Sequence, residues 1–63
     1  MEEVTVHWIG GPLDGQTTIK LQEEIAEELY EAETYYVMHD LWIKKEEQHA
    51  EYRVKEGATT GRL

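Results

Sequence analysis

QEEIAEELYEA, residues 22–32, is the stretch whose reading decides the fold. Leu21 just before it, then Ile25, Leu29 and Ala32, recur at helical spacing; Ala26 and Tyr30 widen the stripe, and glutamates fill the other side. The pattern predicts one amphipathic helix of about three turns over 22–32. On such a helix Glu23, Glu27 and Glu31 share one i, i+4 row and Glu24 and Glu28 the next. Like charges then stack where alternating Glu and Lys would stabilise. Glutamates in the first turn complement the helix dipole, but Glu31 and Glu33 sit at its negative end, so the acidity exceeds what capping asks for. Two readings follow: a charged, solvated surface, or a negative row offered to a positively charged partner.

Outward from this segment, both flanks read as strands. Val4, Val6 and Trp8 alternate with Thr5, His7 and Ile9, as in a strand with one buried face. Gly10-Gly11-Pro12-Leu13-Asp14-Gly15 is the strongest turn signal in the chain, since Pro presets φ and Gly supplies φ > 0. Thr17 to Leu21 returns as a second strand, with Thr17, Ile19 and Leu21 on one face. Beyond the acidic segment, Tyr35 to Ile43 reads as a third strand with large apolar groups on both sides, Tyr36, Met38 and Trp42 opposite Val37 and Leu41. A strand of this kind is central or bridges an interface. Lys44 to His49 reads as a polar turn, and Ala50, Tyr52 and Val54 alternate with Glu51, Arg53 and Lys55 in a fourth strand. The expected fold is α+β in the order β-β-α-β-β, a mostly antiparallel sheet of two hairpins with one helix packed across a face. Residues 1–56 form a single domain in this reading, and 57–63, small and polar, a flexible tail.

Composition narrows the classes of function. A chain of 63 residues buries only about 60% of the surface its unfolded form exposes, so its core is marginal and self-association is an expectation. The absence of cysteine excludes disulfides, zinc–thiolate sites and thiol catalysis, and fits a reducing cytosol. No apolar run approaches the ~18 residues of a membrane span, and Met1-Glu2-Glu3-Val4 lacks the layout of a signal peptide, which predicts a cytoplasmic protein. A net charge of −8 repels phosphate backbones and anionic lipid and favours basic protein surfaces.

Gly10-Gly11-Pro12-Leu13-Asp14-Gly15-Gln16 resembles a stretch found in many small proteins of tailed bacteriophages and their hosts, where it also follows a first short strand. The resemblance covers about a quarter of the chain and implies phage or prophage origin, hence the host cytoplasm. It carries no shared activity. The acidic segment and the pair Tyr35 and Tyr36 are not part of that pattern. Physically the loop is a hairpin; Pro12 removes one donor from any anion nest formed by its amides.

His7, His39 and His49 raise a metal hypothesis, with Asp14, Asp40 or Glu51 as further ligands, but their spacing matches no known ligand signature and no metal or cofactor is expected. There is no serine, no cysteine and no P-loop, and ~300 Å³ of pocket is hard to enclose in so short a chain, so no catalytic residue is assigned and an enzyme is not expected. The aromatic residues Trp8, Tyr30, Tyr35, Tyr36, Trp42 and Tyr52 suit both cores and interface hot spots. Trp8 and Tyr52 are expected inside. The expected partner-binding set is Glu23, Glu24, Glu27, Glu28 and Glu31 with Tyr35, Tyr36 and Trp42. The function that follows is a phage-type binding protein whose glutamate-rich helix occupies a basic, normally nucleic-acid-binding, surface of a host protein. Its i, i+4 glutamates would repeat at about 6 Å, comparable with successive phosphates along one strand. An oligomer that sequesters a host nucleotide signal and a phage structural or assembly module are the alternatives.

Overall fold

The computed structural model describes residues 2–55; the expected tail, 57–63, lies outside the described residues. Five strands, β1 (Glu3–Ile9), β2 (Thr17–Leu21), β3 (Glu28–Glu31), β4 (Thr34–Lys44) and β5 (Glu47–Val54), form one sheet in the order β2-β1-β5-β4-β3. β1 and β5 run parallel, and every other neighbouring pair is antiparallel. Two short 3₁₀ turns, Gly11–Leu13 and Gln22–Glu24, complete the ordered elements.

The helix expected over 22–32 does not form, and the fold is mostly β rather than β-β-α-β-β: among the described residues no helix reaches seven residues. After the 3₁₀ turn the chain runs extended through Ile25 and Ala26 and becomes β3, which pairs with the first half of β4. Leu21, Ile25 and Leu29 are four apart, and four is an even number as well as a helical step, so the same residues satisfy a strand's two-residue alternation. Tertiary contacts then decide. Tyr52 donates its hydroxyl hydrogen bond to the Ala26 carbonyl, Met38 N donates to Glu27 O at 2.8 Å, and Ile25 and Leu29 pack on the core from this extended path. The charges agree, because a helix would stack the glutamates, whereas Glu28 meets Lys55 at 3.0 Å and Glu31 meets Lys20 at 3.1 Å.

The core lies on one face of the sheet. Val4, Val6 and Trp8 of β1, Ala50 and Tyr52 of β5 and Tyr36 of β4 are fully buried there. The sheet curls around them strongly enough that Trp8 on β1 meets Tyr36 on β4 edge-on, ring centroids 4.8 Å apart, although β5 separates their strands. Lys20 and Glu31 belong to the two outermost strands, so their ion pair spans the seam between the sheet's edges. Loops close the inner side where a helix was expected. The Tyr36 hydroxyl donates to Gly10 O at 2.8 Å and accepts from Leu13 N at 3.1 Å, holding the Gly10–Leu13 turn over the ring. Trp8 Nε1 donates to Thr18 Oγ1 at 2.9 Å, which settles the one polar atom of the indole. β2 presents Thr18 and Lys20 to this inner side, as their pairing with Val6 and Val4 requires, so its Thr17, Ile19 and Leu21 face lies outside.

β4 resolves its two-sided pattern with a bulge. Met38 pairs with Tyr52 and Asp40 with Glu51, leaving His39 without a partner between them. One inserted residue reverses the alternation. Tyr36 and Met38 therefore face inward with Tyr52, while Trp42 joins His49 on the outer side and Leu41 moves to the inner one, opposite Ala50. No helix among the described residues is long and apolar enough to cross a membrane.

Candidate functional site

The structure disperses the expected acidic row. Glu23 is exposed beside the 3₁₀ turn, and Glu24 turns back to accept the Leu21 amide at 2.9 Å. Glu27 lends its carbonyl to β4 and leaves its side chain exposed. Glu28 and Glu31 differ by three positions in a strand, which puts them on opposite faces, and each holds a lysine. No i, i+4 ladder survives, and with it goes the regular repeat that would have matched successive phosphates.

A second acidic group gathers from residues far apart in the chain. Glu2, Glu3, Glu46 and Glu47, with Thr5, Ile19 and Gln48, surround a depression of about 420 Å³. Parallel pairing of β1 with β5 brings the first residues of the chain beside the β4–β5 turn, a juxtaposition across more than forty residues of sequence. Gln48 Nε2 donates to Glu2 Oε1 at 3.0 Å there.

The aromatic candidates divide. Tyr36 is wholly buried and its hydroxyl is committed to Gly10 and Leu13, so it belongs to the core and does not face a partner. Tyr35 is about half exposed and meets the more exposed Tyr30 across the β3–β4 hairpin, the rings tilted by 48° with centroids 4.8 Å apart. Trp42 lies on the outer face in a layer with His7 and His49, the three rings nearly parallel with centroids 5.2 to 5.6 Å apart. His7 Nε2 and His49 Nδ1 share a hydrogen bond at 3.0 Å, one ring donating and the other accepting. His39 sits apart in the bulge, and among the described residues no three histidine, aspartate or glutamate side chains converge as a metal-binding group. Sequence reasoning singled out each histidine but missed this layer. The signal was the alternation itself, which puts His7 and His49 on the outer faces of their strands; which strands are neighbours was not legible.

A third feature is main chain. β3 accompanies β4 only from Thr34 to Val37, with one further bond from Met38, so, among the described residues, 40–44 are paired to β5 alone. The Asp40 carboxylate accepts the Leu41 amide at 2.8 Å on this stretch. Leu41 and Ile43 are 54% and 71% exposed. Beside them Ile25, Ala26, Glu27, Met38 and Gln48 border a groove of about 360 Å³. The chemistry available to these surfaces is association: charge, aromatic faces, and unpaired strand amides.

Compared with protein-family models, curated proteins and solved structures, the chain matches none of them.

Proposed function

We propose that this chain is a non-enzymatic binding protein of phage origin, acting in the host cytoplasm. Its acidic surface inhibits a host factor by covering a basic, normally nucleic-acid-binding, protein surface. The observation that carries the reading is an imbalance of free charge. Lys20, Arg53 and Lys55 are each occupied by a glutamate, and against the exposed Lys44 and Lys45 stand the exposed Glu2, Glu3, Glu23, Glu27, Glu46 and Glu47, on a chain of net charge −8. The field of such a surface attracts cationic partners and repels nucleic acid itself. The recognition is by clustered carboxylates from the 3₁₀ turn, the extended link and the strand ends, not by a helical row.

The test is competition. Immobilised protein should retain a nucleic-acid-binding protein from host lysate at low salt, and duplex DNA should displace it. Glu23→Gln combined with Glu27→Gln should slow association and flatten its salt dependence, with stability changed by less than about 0.5 kcal/mol because neither side chain holds an ion pair among the described residues. Binding that is identical for both proteins at low and high salt would defeat the reading. An assembly module is the second reading, favoured by the one-sided pairing of residues 40–44.

A further inference from the structure

We propose that the open edge of β4 is a self-association site, at which a second copy of this chain adds antiparallel with Trp42 on the twofold axis. The inference does not rest on the acidic surface.

Pairing arithmetic selects the register. Lys45 and Glu46 form a two-residue turn with φ of 53° and 66°, so the flanking Lys44 and Glu47 are a hydrogen-bonded pair. Counting back, Trp42 also directs its amide and carbonyl to β5, and Leu41 and Ile43 direct theirs to the open side. The Leu41 amide agrees, being taken by Asp40 and not by β5. A second β4 adding antiparallel must pair outward-directed residues with one another. That leaves registers centred on Leu41, Trp42 or Ile43.

Charge chooses among them. Asp40-Leu41-Trp42-Ile43-Lys44 is complementary to its own reverse: centred on Trp42, it sets Asp40 opposite the partner's Lys44 twice, and Leu41 opposite the partner's Ile43 twice. The other two centres set Asp40 or Lys44 opposite an apolar residue of the partner. Length fits as well, since the free stretch begins where β3 stops and ends at the Lys45 turn. The twofold axis stands perpendicular to the sheet, so the exposed Leu41 and Ile43 of both copies lie on one side and continue the groove bordered by Ile25 and Met38. Leu41 N–H passes from the Asp40 carboxylate to the partner's Ile43 carbonyl, and the released carboxylate meets the partner's Lys44. In the monomer that same carboxylate occupies the edge and keeps it from indiscriminate pairing.

Sedimentation equilibrium on the full chain tests the proposal, with charge exchange as its control. The wild-type protein should dimerise at micromolar concentration. Asp40→Lys alone, which faces like charges across both symmetry-related pairs, should weaken the dimer at least about tenfold, and adding Lys44→Asp should restore it. Circular dichroism confirms that each variant is folded. Register is read separately: Trp42→Cys should form a disulfide-linked dimer in air, because a non-hydrogen-bonded antiparallel pair sets its Cα atoms about 4.5 Å apart. Ile43→Cys, diagonal to its own copy, should not. A wild-type monomer throughout, a dimer indifferent to Asp40→Lys, a double variant that stays monomeric, or cross-linking through Ile43→Cys in preference to Trp42→Cys would each overturn the proposal.

Discussion

The two halves of β4 carry similar apolar content and meet opposite fates. Up to Met38 the strand is paired on both sides, and Tyr36 is sealed between Trp8, the Gly10–Leu13 turn and β3. Past the bulge at His39 it is paired, among the described residues, on one side only, and Leu41 and Ile43 are exposed on the inner face of the sheet. Hydrophobicity does not distinguish the halves. Coverage does: the link through Ile25 and Ala26 and the turn through Leu13 fold over the first half, and the chain has no further segment among the described residues to fold over the second. A small domain has more apolar strand than it has loop to cover it, and the remainder becomes interface.

The sharpest way to break this comparison is to truncate each half. Tyr36→Ala removes a buried ring with two hydroxyl hydrogen bonds and should cost about 3–5 kcal/mol, enough to unfold so small a domain, whereas Leu41→Ala should cost less than about 1 kcal/mol in the monomer. Urea titrations of both variants, at protein concentrations below any dimerisation, read the difference directly. Equal losses would mean that the two halves are equally packed.

The docked turn gives the next largest effect. Gly11 has φ of +67°, and a Cβ there would come within 2.7 Å of both the Tyr36 hydroxyl and a Val54 methyl. Gly11→Ala should therefore destabilise by about 1–3 kcal/mol and loosen Tyr36. Gly15→Ala is the control, for Gly15 has φ of +84° but open space around it, so only the backbone strain remains. Thermal melts of the pair, with Gly11→Ala the lower, would sharpen the view that the first half of β4 is held by its cover.

The smallest effect sits at the boundary, where Tyr52 of β5 faces Met38 and ties the Ala26 link to the sheet. Tyr52→Phe should cost about 1 kcal/mol through the unpaired carbonyl. Burial raises the phenol above its ordinary value of about 10. The unfolded chain consequently ionises first in alkali, and the contribution of this group, complete below pH ~10, is lost as pH rises through the folded-state value. Stability measured against pH should fall more steeply above pH ~10 for the wild type than for Tyr52→Phe. Parallel curves would show that the phenol is not buried in solution.

The strands flanking the acidic segment were legible because alternation and turn chemistry were both explicit. Val4, Val6 and Trp8 announce an inward face, and Gly10 to Gly15 announce a turn. The β3–β4 hairpin announced nothing: its turn residues Ala32 and Glu33 take φ of 50° and 60°, a left-handed geometry that asparagine or glycine would have advertised. The Lys45-Glu46 turn is concealed in the same way, which is why the sequence pattern starts the fourth strand at Ala50 whereas β5 begins at Glu47. Of the candidate site, Tyr35 is about half exposed and Trp42 lies on the outer face. Tyr36 is inside, because a bulge, invisible to a pattern of alternation, separates it from Trp42.

By itself the sequence determined where apolar residues recur, how much negative charge the chain carries, and which loop must contain a tight turn, since each of these is written in residue type at short range. It left undecided whether Leu21, Ile25 and Leu29 lie on a helix or along a strand, because a spacing of four satisfies both periods. Only the tertiary structure decided: residues 28–31 pair with the first half of β4, Tyr52 and Met38 hold the passing chain by its carbonyls, and lysines distant in sequence balance glutamates that a helix would have forced together.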